Sequence, residues 1–295
     1  MKIEQKTMGW GITAGDGSEI WDSEPVIKKT YNTWQKNIIL FLYPKKWFLY
    51  RYIEKIGSGR SSQFSVLDVG CGTGASMIDM KRLWGKQVQV YGVDVVQLQI
   101  DLAKKKFVDQ NVQAEALWYD GQQVPFSSET LDAIYTSDVL GHVQHVPDWL
   151  AELHRVLKPG GRLAMFTESQ LGKHAFIRRY LLKRGLNVDP HAPYHISLYS
   201  KQELQKLLKS AGFEIEHMYG SFWSAFFVHP DEMYPALQAQ NKFPFLKNIN
   251  RWLFVWKKKT HPFSTALGEL FGLAEMLLIG RWIESQGYVI LAKKK

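Results

Sequence analysis

The sequence predicts an α/β chain built on a doubly wound parallel sheet. Two observations carry that reading. Short apolar runs of strand length alternate with longer stretches of helical periodicity. The first run, SVLDVGCGTGAS (65–76), ends in glycines at alternate positions and passes directly into a helical pattern.

Each element follows in order. SVLDVG is an apolar run closed by glycine, as a buried strand would be. ASMIDMKRLW places Met77, Met80 and Trp84 at helical spacing. VQVYGVD (88–94) is a second strand, and VQLQIDLAKKKF a second helix with Leu98, Leu102 and Phe107 on one side. EALWYD (115–120) and LDAIYTS (131–137) are the third and fourth strands. VPDWLAELHRVL is a helix with Trp149, Leu150, Leu153, Val156 and Leu157 on one face, stopped by KPGG. RLAMFTE (162–168) is a fifth strand. A helix then opens on Ser200 and Glu203 in capping-box spacing and ends on Gly212. FEIEHMY (213–219) and GYVILAK (287–293) are the last two strands.

Three aromatic-rich segments, 1–60, 169–199 and 221–286, fall outside this alternation and read as covering elements over one face or edge of the sheet. The expected organisation is an N-terminal helical cap (1–60) and a core (61–220) carrying an inserted substrate-side segment (169–199). A second cap insertion (221–286) and a last strand with a basic tail (287–295) complete it.

The chain has 295 residues, 45% of them hydrophobic, enough for one large domain with additions or two small ones. Cys71 is the only cysteine, which excludes an internal disulfide and fits a reducing compartment. The N-terminal residues lack an apolar signal region. The strongest apolar runs, 38–43 and 270–280, fall short of the roughly 20 residues of a bilayer span. The expectation is a soluble, cytoplasmic protein. Formal net charge is +9, with lysine clusters at 104–106, 257–259 and 293–295. Those clusters suit a solvated surface, or an anionic partner such as RNA or a membrane surface; charge alone does not choose.

A strand, a glycine turn and a helix bring backbone N–H groups and a positive helix end to one point. Gly70, Gly72 and Ala75 match the dinucleotide pattern G-x-G-x-x-A, with Asp94 about twenty residues on. Three features oppose a pyrophosphate. Asp68 stands two residues before Gly70, where its carboxylate suits a cation. Gly74 extends the alternation to D-x-G-x-G-x-G. Asp120 follows the third strand, placed to accept from an adenine amine. A ligand with an ammonium or sulfonium, a ribose diol and an adenine satisfies all three acids, and S-adenosylmethionine is such a ligand.

VLDVGCGTG, GVD, YDGQQVPFSSETLDAIYTSDVLGHV and LAELHRVLKPGGRLAMF together resemble the class I S-adenosylmethionine-dependent methyltransferases of the small-molecule, type 11-like group. The likeness covers roughly 60–220 and resumes at 287–293. It implies a seven-stranded Rossmann-like sheet with an antiparallel last strand and helical cap insertions. It also implies that Asp68, Gly70, Cys71, Gly72 and Gly74 lie under the methionine part of the cofactor and that Asp94 takes the ribose hydroxyls. Val95 would pack on the adenine, Asp120 with Gly121 would take the adenine amine, and Ser137 would line the methionine side. The fourth strand is followed by TSDVLGHV rather than an Asn/Asp-Pro-Pro-aromatic motif, which argues against methylation of adenine amines or glutamine amides. The 221–286 insertion has no counterpart in the minimal fold.

Methyl transfer from a sulfonium is an in-line displacement, so alignment dominates, and some acceptors also need a base. In open α/β sheets the acceptor lies beyond the carboxyl ends of the strands. His142, after strand four, is a candidate base whose plainer role is packing or capping. Glu168, ending strand five, is a second catalytic candidate, and Asp138 reads as a local cap. His195 is a substrate-side candidate whose commoner role is a satisfied loop histidine; His145 reads as a surface residue. No metal is expected, because no His/Asp/Glu cluster has ligand spacing. The aromatic segments 43–52, 220–230 and 250–259 read first as cap packing, then as a greasy acceptor pocket, a membrane-docking surface or an RNA-stacking surface.

The resulting expectation is methyl transfer to an oxygen, nitrogen or carbon of a small, partly apolar metabolite. An RNA (tRNA) methyltransferase, an NAD-dependent oxidoreductase and a catalytically silent cofactor-binding protein stand as alternatives. Oligomeric state is not legible.

Overall fold

The computed structural model describes residues 22–57, 62–189, 191–221 and 223–295. It also gives the backbone of three two-residue antiparallel strands, Gln5–Lys6, Ile12–Thr13 and Glu19–Ile20. The main sheet has seven strands: β1 (Phe64–Val69), β2 (Val88–Asp94), β3 (Glu115–Trp118), β4 (Leu131–Ser137), β5 (Leu157–Glu168), β6 (Phe213–Ser221) and β7 (Gly287–Lys294). Their order is β3-β2-β1-β4-β5-β7-β6. The first five run parallel, and β7 pairs antiparallel with both β5 and β6. The order reverses at β1 and β4, where such sheets open a crevice for ligands.

Side-chain alternation in the strands builds two cores. On one face Val66, Phe166 and Val289 pack against α2 (Pro44–Gly57), α3 (Ala75–Trp84) and α4 (Gln97–Asp109). On the other, Leu67, Ile134, Leu163 and Ile290 meet α5 (Val146–Val156) and α7 (Lys201–Ser210). Val66 and Leu67 are neighbours in sequence yet belong to opposite cores, as the two-residue period of a strand demands.

α1 (Thr33–Phe41) is closed at its start by Asn32 and Gln35 in a reciprocal capping box. The predicted box of Ser200 and Glu203 likewise opens α7. α6 (Phe176–Lys183), α8 (Ala225–Val228), α9 (Pro230–Gln238) and α10 (Pro244–Thr260) share a smaller core of Leu181, Phe226, Met233, Leu237 and Phe243. α11 (Phe263–Leu278) leads into β7 and lies beside α1, α2 and α10. The long insertion between β6 and β7 is thus helical and packed against itself and the sheet.

Three expectations are corrected. The buried stripe of α4 runs through Gln99, Ile100, Ala103 and Phe107, while Leu98 and Leu102 are only half-buried. A one-residue rotation of the helix turns Gln99 inward because its amide bonds Asp94. Asp138 caps no helix: its backbone is left-handed (φ 61°), its amide donates to the Phe166 carbonyl, and its carboxylate accepts from the Ser137 hydroxyl. Strand β5 also begins earlier than its apolar run, since Leu157 pairs with Leu131 before KPGG bulges out of register. No helix among the described residues is long and apolar enough to cross a membrane.

Candidate functional site

The turn after β1 has a conformation that requires glycine. Gly70, Gly72 and Gly74 have φ values of 74°, 53° and 79°, a region disfavoured for residues with a Cβ. A Cβ on Gly70 would stand 2.2 Å from Val139 Cγ2, and one on Gly74 2.5 Å from Phe107 Cε1. The turn is tied to the end of β2: the amides of Gly70 and Cys71 donate to the Val93 carbonyl at 2.8 and 3.1 Å. The Gly72 amide donates to Asp94 Oδ2 at 2.9 Å, and Oδ1 accepts from the Val96 amide at 2.9 Å and Gln99 Nε2 at 3.2 Å.

Both strand-end acids are buried, Asp68 at 2% and Asp94 at 6% exposure. Burial pushes Asp68 up to about 8, against the pull of Lys46 and with the push of Asp94. Burial also raises Asp94, opposed by the N–H groups of Val96, Gly72 and Gln99. Near neutrality the site therefore holds an acid that a bound cation would ionise.

A flat apolar ledge lies beside these acids. Val95 is 52% exposed, and the Trp118 indole N–H fixes its carbonyl at 2.8 Å. Gly121 (φ 83°) faces it, and a Cβ there would lie 3.4 Å from Val95 Cγ1, so glycine keeps the space over the ledge open. Exposed Asp120 accepts the amides of Gln122 and Gln123 at 2.9 and 3.0 Å; these bonds hold its pKa below the usual carboxylate range. A buried acid pair, a glycine turn and an open apolar ledge match the charge and shape of an adenosyl sulfonium. Among the described residues no cluster of three His, Cys, Asp or Glu side chains is arranged to hold a metal ion.

The segment preceding α1 crosses this turn. The Thr73 hydroxyl and Lys106 Nζ donate to Asp22 at 3.0 and 2.8 Å. Asp79, fully buried on α3, accepts the Ile27 amide at 2.8 Å and pairs with Lys46 at 2.6 Å. One carboxylate thus joins the segment, α2 and the helix that follows the turn.

Beyond the end of β5 lies a cavity of about 410 Å³, lined in part by Glu168, Arg178, Asp189, His195 and Leu198. His195 is ion-paired through Nε2 to Glu168 and through Nδ1 to Asp189 at 2.9 Å. Burial opposes its charge, but these two bonds push it up to about 10, making it a cation at neutral pH. His142 stands behind it, its ring centroid 5.1 Å away and its Nδ1 3.0 Å from the Tyr194 carbonyl. Ser137 is half-buried at the strand end, bonded to Asp138. Solvent reaches Asp138, yet the protein packed around it raises its pKa.

Sequence reasoning missed Asp189, Lys45, Glu232 and Glu269. Lys45 Nζ sits 3.7 Å over the Phe166 ring. Burial pushes half-buried Glu232 and Glu269 up to about 7, with Arg178 and Lys45 opposing at Glu232 and Lys45 and Lys257 at Glu269. No spacing rule connects these residues; only the folding back of α9 and α11 brings them near Lys45. The loop carrying Asp189 offered one local signal, an Asx turn in which its Oδ1 accepts the His191 amide.

Sheet order, reversed last strand and glycine turn define a class I Rossmann-like transferase fold of the S-adenosylmethionine-using type. The chain belongs to the methyltransferase domain family, whose model matches residues 41–218. It is a small-molecule methyltransferase that uses S-adenosylmethionine. It is similar to a ubiquinone/menaquinone biosynthesis C-methyltransferase of Desulfotalea psychrophila, 30% identical over 179 residues, covering 56% of this chain and 71% of that one. It is also similar to an O-methyltransferase of Aspergillus sclerotiorum, 30% identical over 175 residues, with 56% and 61% covered. Among solved structures, a geranyl diphosphate C-methyltransferase of Streptomyces coelicolor A3(2) superposes with a TM-score of 0.55 at 15% identity, over 94% of this chain and 89% of that one. That likeness is one of fold.

Proposed function

We propose that the turn 70–74 seats the cofactor's methionine end, that Asp94 takes its ribose hydroxyls, and that Val95, Asp120 and Gly121 receive its adenine. The observation that carries this is the pairing of two buried acids, Asp68 and Asp94, with a left-handed glycine turn. A cation is the natural partner of Asp68, which burial leaves half-protonated near pH 8. When bound, the cofactor supplies an activated methyl for in-line transfer to a nucleophile.

The acceptor we place beyond the ends of β4 and β5, a small, partly apolar metabolite methylated on oxygen, nitrogen or carbon. Quinol-like rings are the leading class, supported by the name of the relative from Desulfotalea, a ubiquinone/menaquinone biosynthesis C-methyltransferase, and an oxygen acceptor is supported by the name of the O-methyltransferase from Aspergillus. The residues here would orient that acceptor and exclude water. His195 serves as a fixed cation rather than a base, since both ring nitrogens are engaged. Glu232 and Glu269, raised by burial to about 7, and His142, whose ring is oriented by the Tyr194 carbonyl at Nδ1, are the candidate bases for an acceptor that must lose a proton. The single cysteine, buried within the turn, is in keeping with a cytoplasmic location.

The test is transfer of an isotope-labelled methyl from S-adenosylmethionine to a panel of phenols, hydroquinones and small amines. Label in the organic-extractable ring compounds supports the reading. Label confined to the polar amines contradicts it.

A further inference from the structure

We propose that the outward face formed by α1, α10 and α11 is a docking surface for an anionic phospholipid bilayer. Phe263, Leu267, Leu270, Phe271, Leu277 and Leu278 all point outward along α11, with exposures from 45% to 82%. Their spacing of three, four and seven residues makes one continuous stripe along a helix of about 24 Å. α1 and α10 both pack against α11, and each adds exposed apolar side chains, Trp34 and Ile38 on α1 and Trp252 and Trp256 on α10. The two α10 indoles lie nearly parallel, 6.4 Å apart, and Trp252 is 65% exposed. Exposed apolar patches of this continuity mark interaction surfaces.

Charge identifies the occupant. α1 and α10 contain no acidic residue. The two acids of α11 both turn inward: Glu275 is buried against the amides of Trp223 and Ser224, and Glu269 faces His229. Cations flank the stripe instead, with exposed Lys258 and Lys259 before its start and exposed Arg281 after its end. A twofold pairing with a second copy would bring these cations together with no carboxylate on either face to offset them. An anionic headgroup layer complements them, and its boundary region accommodates tryptophan and leucine. Docking is independent of methyl transfer, so binding of S-adenosylhomocysteine serves as a folding control.

The experiment is flotation of the full chain with vesicles of phosphatidylcholine alone and of phosphatidylcholine mixed with phosphatidylglycerol, with tryptophan emission recorded in parallel. The expected result is partition onto the mixed vesicles at least about tenfold stronger than onto the neutral ones, reversed by salt and accompanied by a blue shift. The double variant Leu267→Glu, Phe271→Glu is expected to lose about tenfold or more of that partition while binding S-adenosylhomocysteine normally. Lys258→Glu with Lys259→Glu is expected to abolish the preference for anionic vesicles. Failure of the unmodified chain to float with either vesicle overturns the proposal. So does partition that the stripe variant leaves unchanged. A dimer seen by light scattering without vesicle binding, and split by the stripe variant, would assign the surface to a second copy instead.

Discussion

Asp94 at the end of β2 grips the amide of Gly72 at 2.9 Å, so one carboxylate shapes the turn from across 22 residues of sequence. The same group is buried and accepts two further donors, Val96 and Gln99. In the proposed site it must also meet a ribose diol. Asp94→Asn keeps one acceptor oxygen for the turn but halves the acceptor capacity. It should weaken S-adenosylhomocysteine binding by about 2 kcal/mol, a roughly 30-fold rise in Kd, with a small change in Tm. Isothermal calorimetry beside thermal melts checks this. Unchanged affinity would remove Asp94 from the ribose.

Asp68 couples cofactor binding to protons. Its pKa is pushed up to about 8 in the free protein, mainly by burial. A cation seated beside it favours the carboxylate form, so binding at pH 7 should release close to one proton. Below pH 8 the affinity for S-adenosylmethionine should rise with pH, by up to about tenfold per unit, and level off above it. Calorimetry in two buffers of different ionisation enthalpy measures the release. Equal enthalpies in the two buffers, or the same dependence in Asp68→Asn, would contradict the assignment.

His195 gives a stability signature with a defined sign. Its folded pKa, about 10, exceeds its ordinary value of 6.5 because Asp189 and Glu168 bond it against the effect of burial. Its contribution is complete below pH 6.5, declines as pH rises, and is gone above about 10. Asp189 and Glu168 shift the other way, held below their ordinary values of 3.8 and 4.5, so their share is lost as pH falls through the acid range. The Tm difference between the unmodified protein and His195→Gln should therefore shrink steadily from pH 6.5 to 10. A constant difference would mean that the triad is not ionised.

Asp79 tests the link between the N-terminal segment and the cofactor helix. Replacing it with alanine strands the Ile27 amide and Lys46 beside an apolar core. The expected cost is about 3 kcal/mol in urea unfolding. A loss below about 0.5 kcal/mol, the level of an ordinary surface change, would show that the bonds are not maintained in solution.

Gly74→Ala introduces a Cβ 2.5 Å from the Phe107 ring at a φ of 79°. Strain and overpacking together should cost about 2–4 kcal/mol and lower cofactor affinity. A variant as stable as the parent would mean that the turn has slack not seen in the structure.

The sheet was legible in the sequence because each strand carried its own apolar run and its own stop. SVLDV, VQVYGVD and LDAIYTS all fall on strands, and the Ser200 box falls on a helix start. The turn of Gly70, Gly72 and Gly74 was legible for a related reason: local backbone geometry dictates glycine. The acceptor side was not. His195 was visible only as a lone histidine, because its partners Glu168 and Asp189 come from a strand end and a distant loop. Glu232 and Glu269 lie on helices whose spacing reports only their own buried faces. The stripe on α11 was hidden in the same way, since an apolar helix face reads alike whether it meets a core or solvent.

The most direct measurement is a crystal structure with saturating S-adenosylhomocysteine. The expected placement is the homocysteine over the turn 70–74, the ribose hydroxyls on Asp94, and the adenine between Val95 and Gly121. Adenosyl density seated anywhere else, or none at saturation, would contradict it.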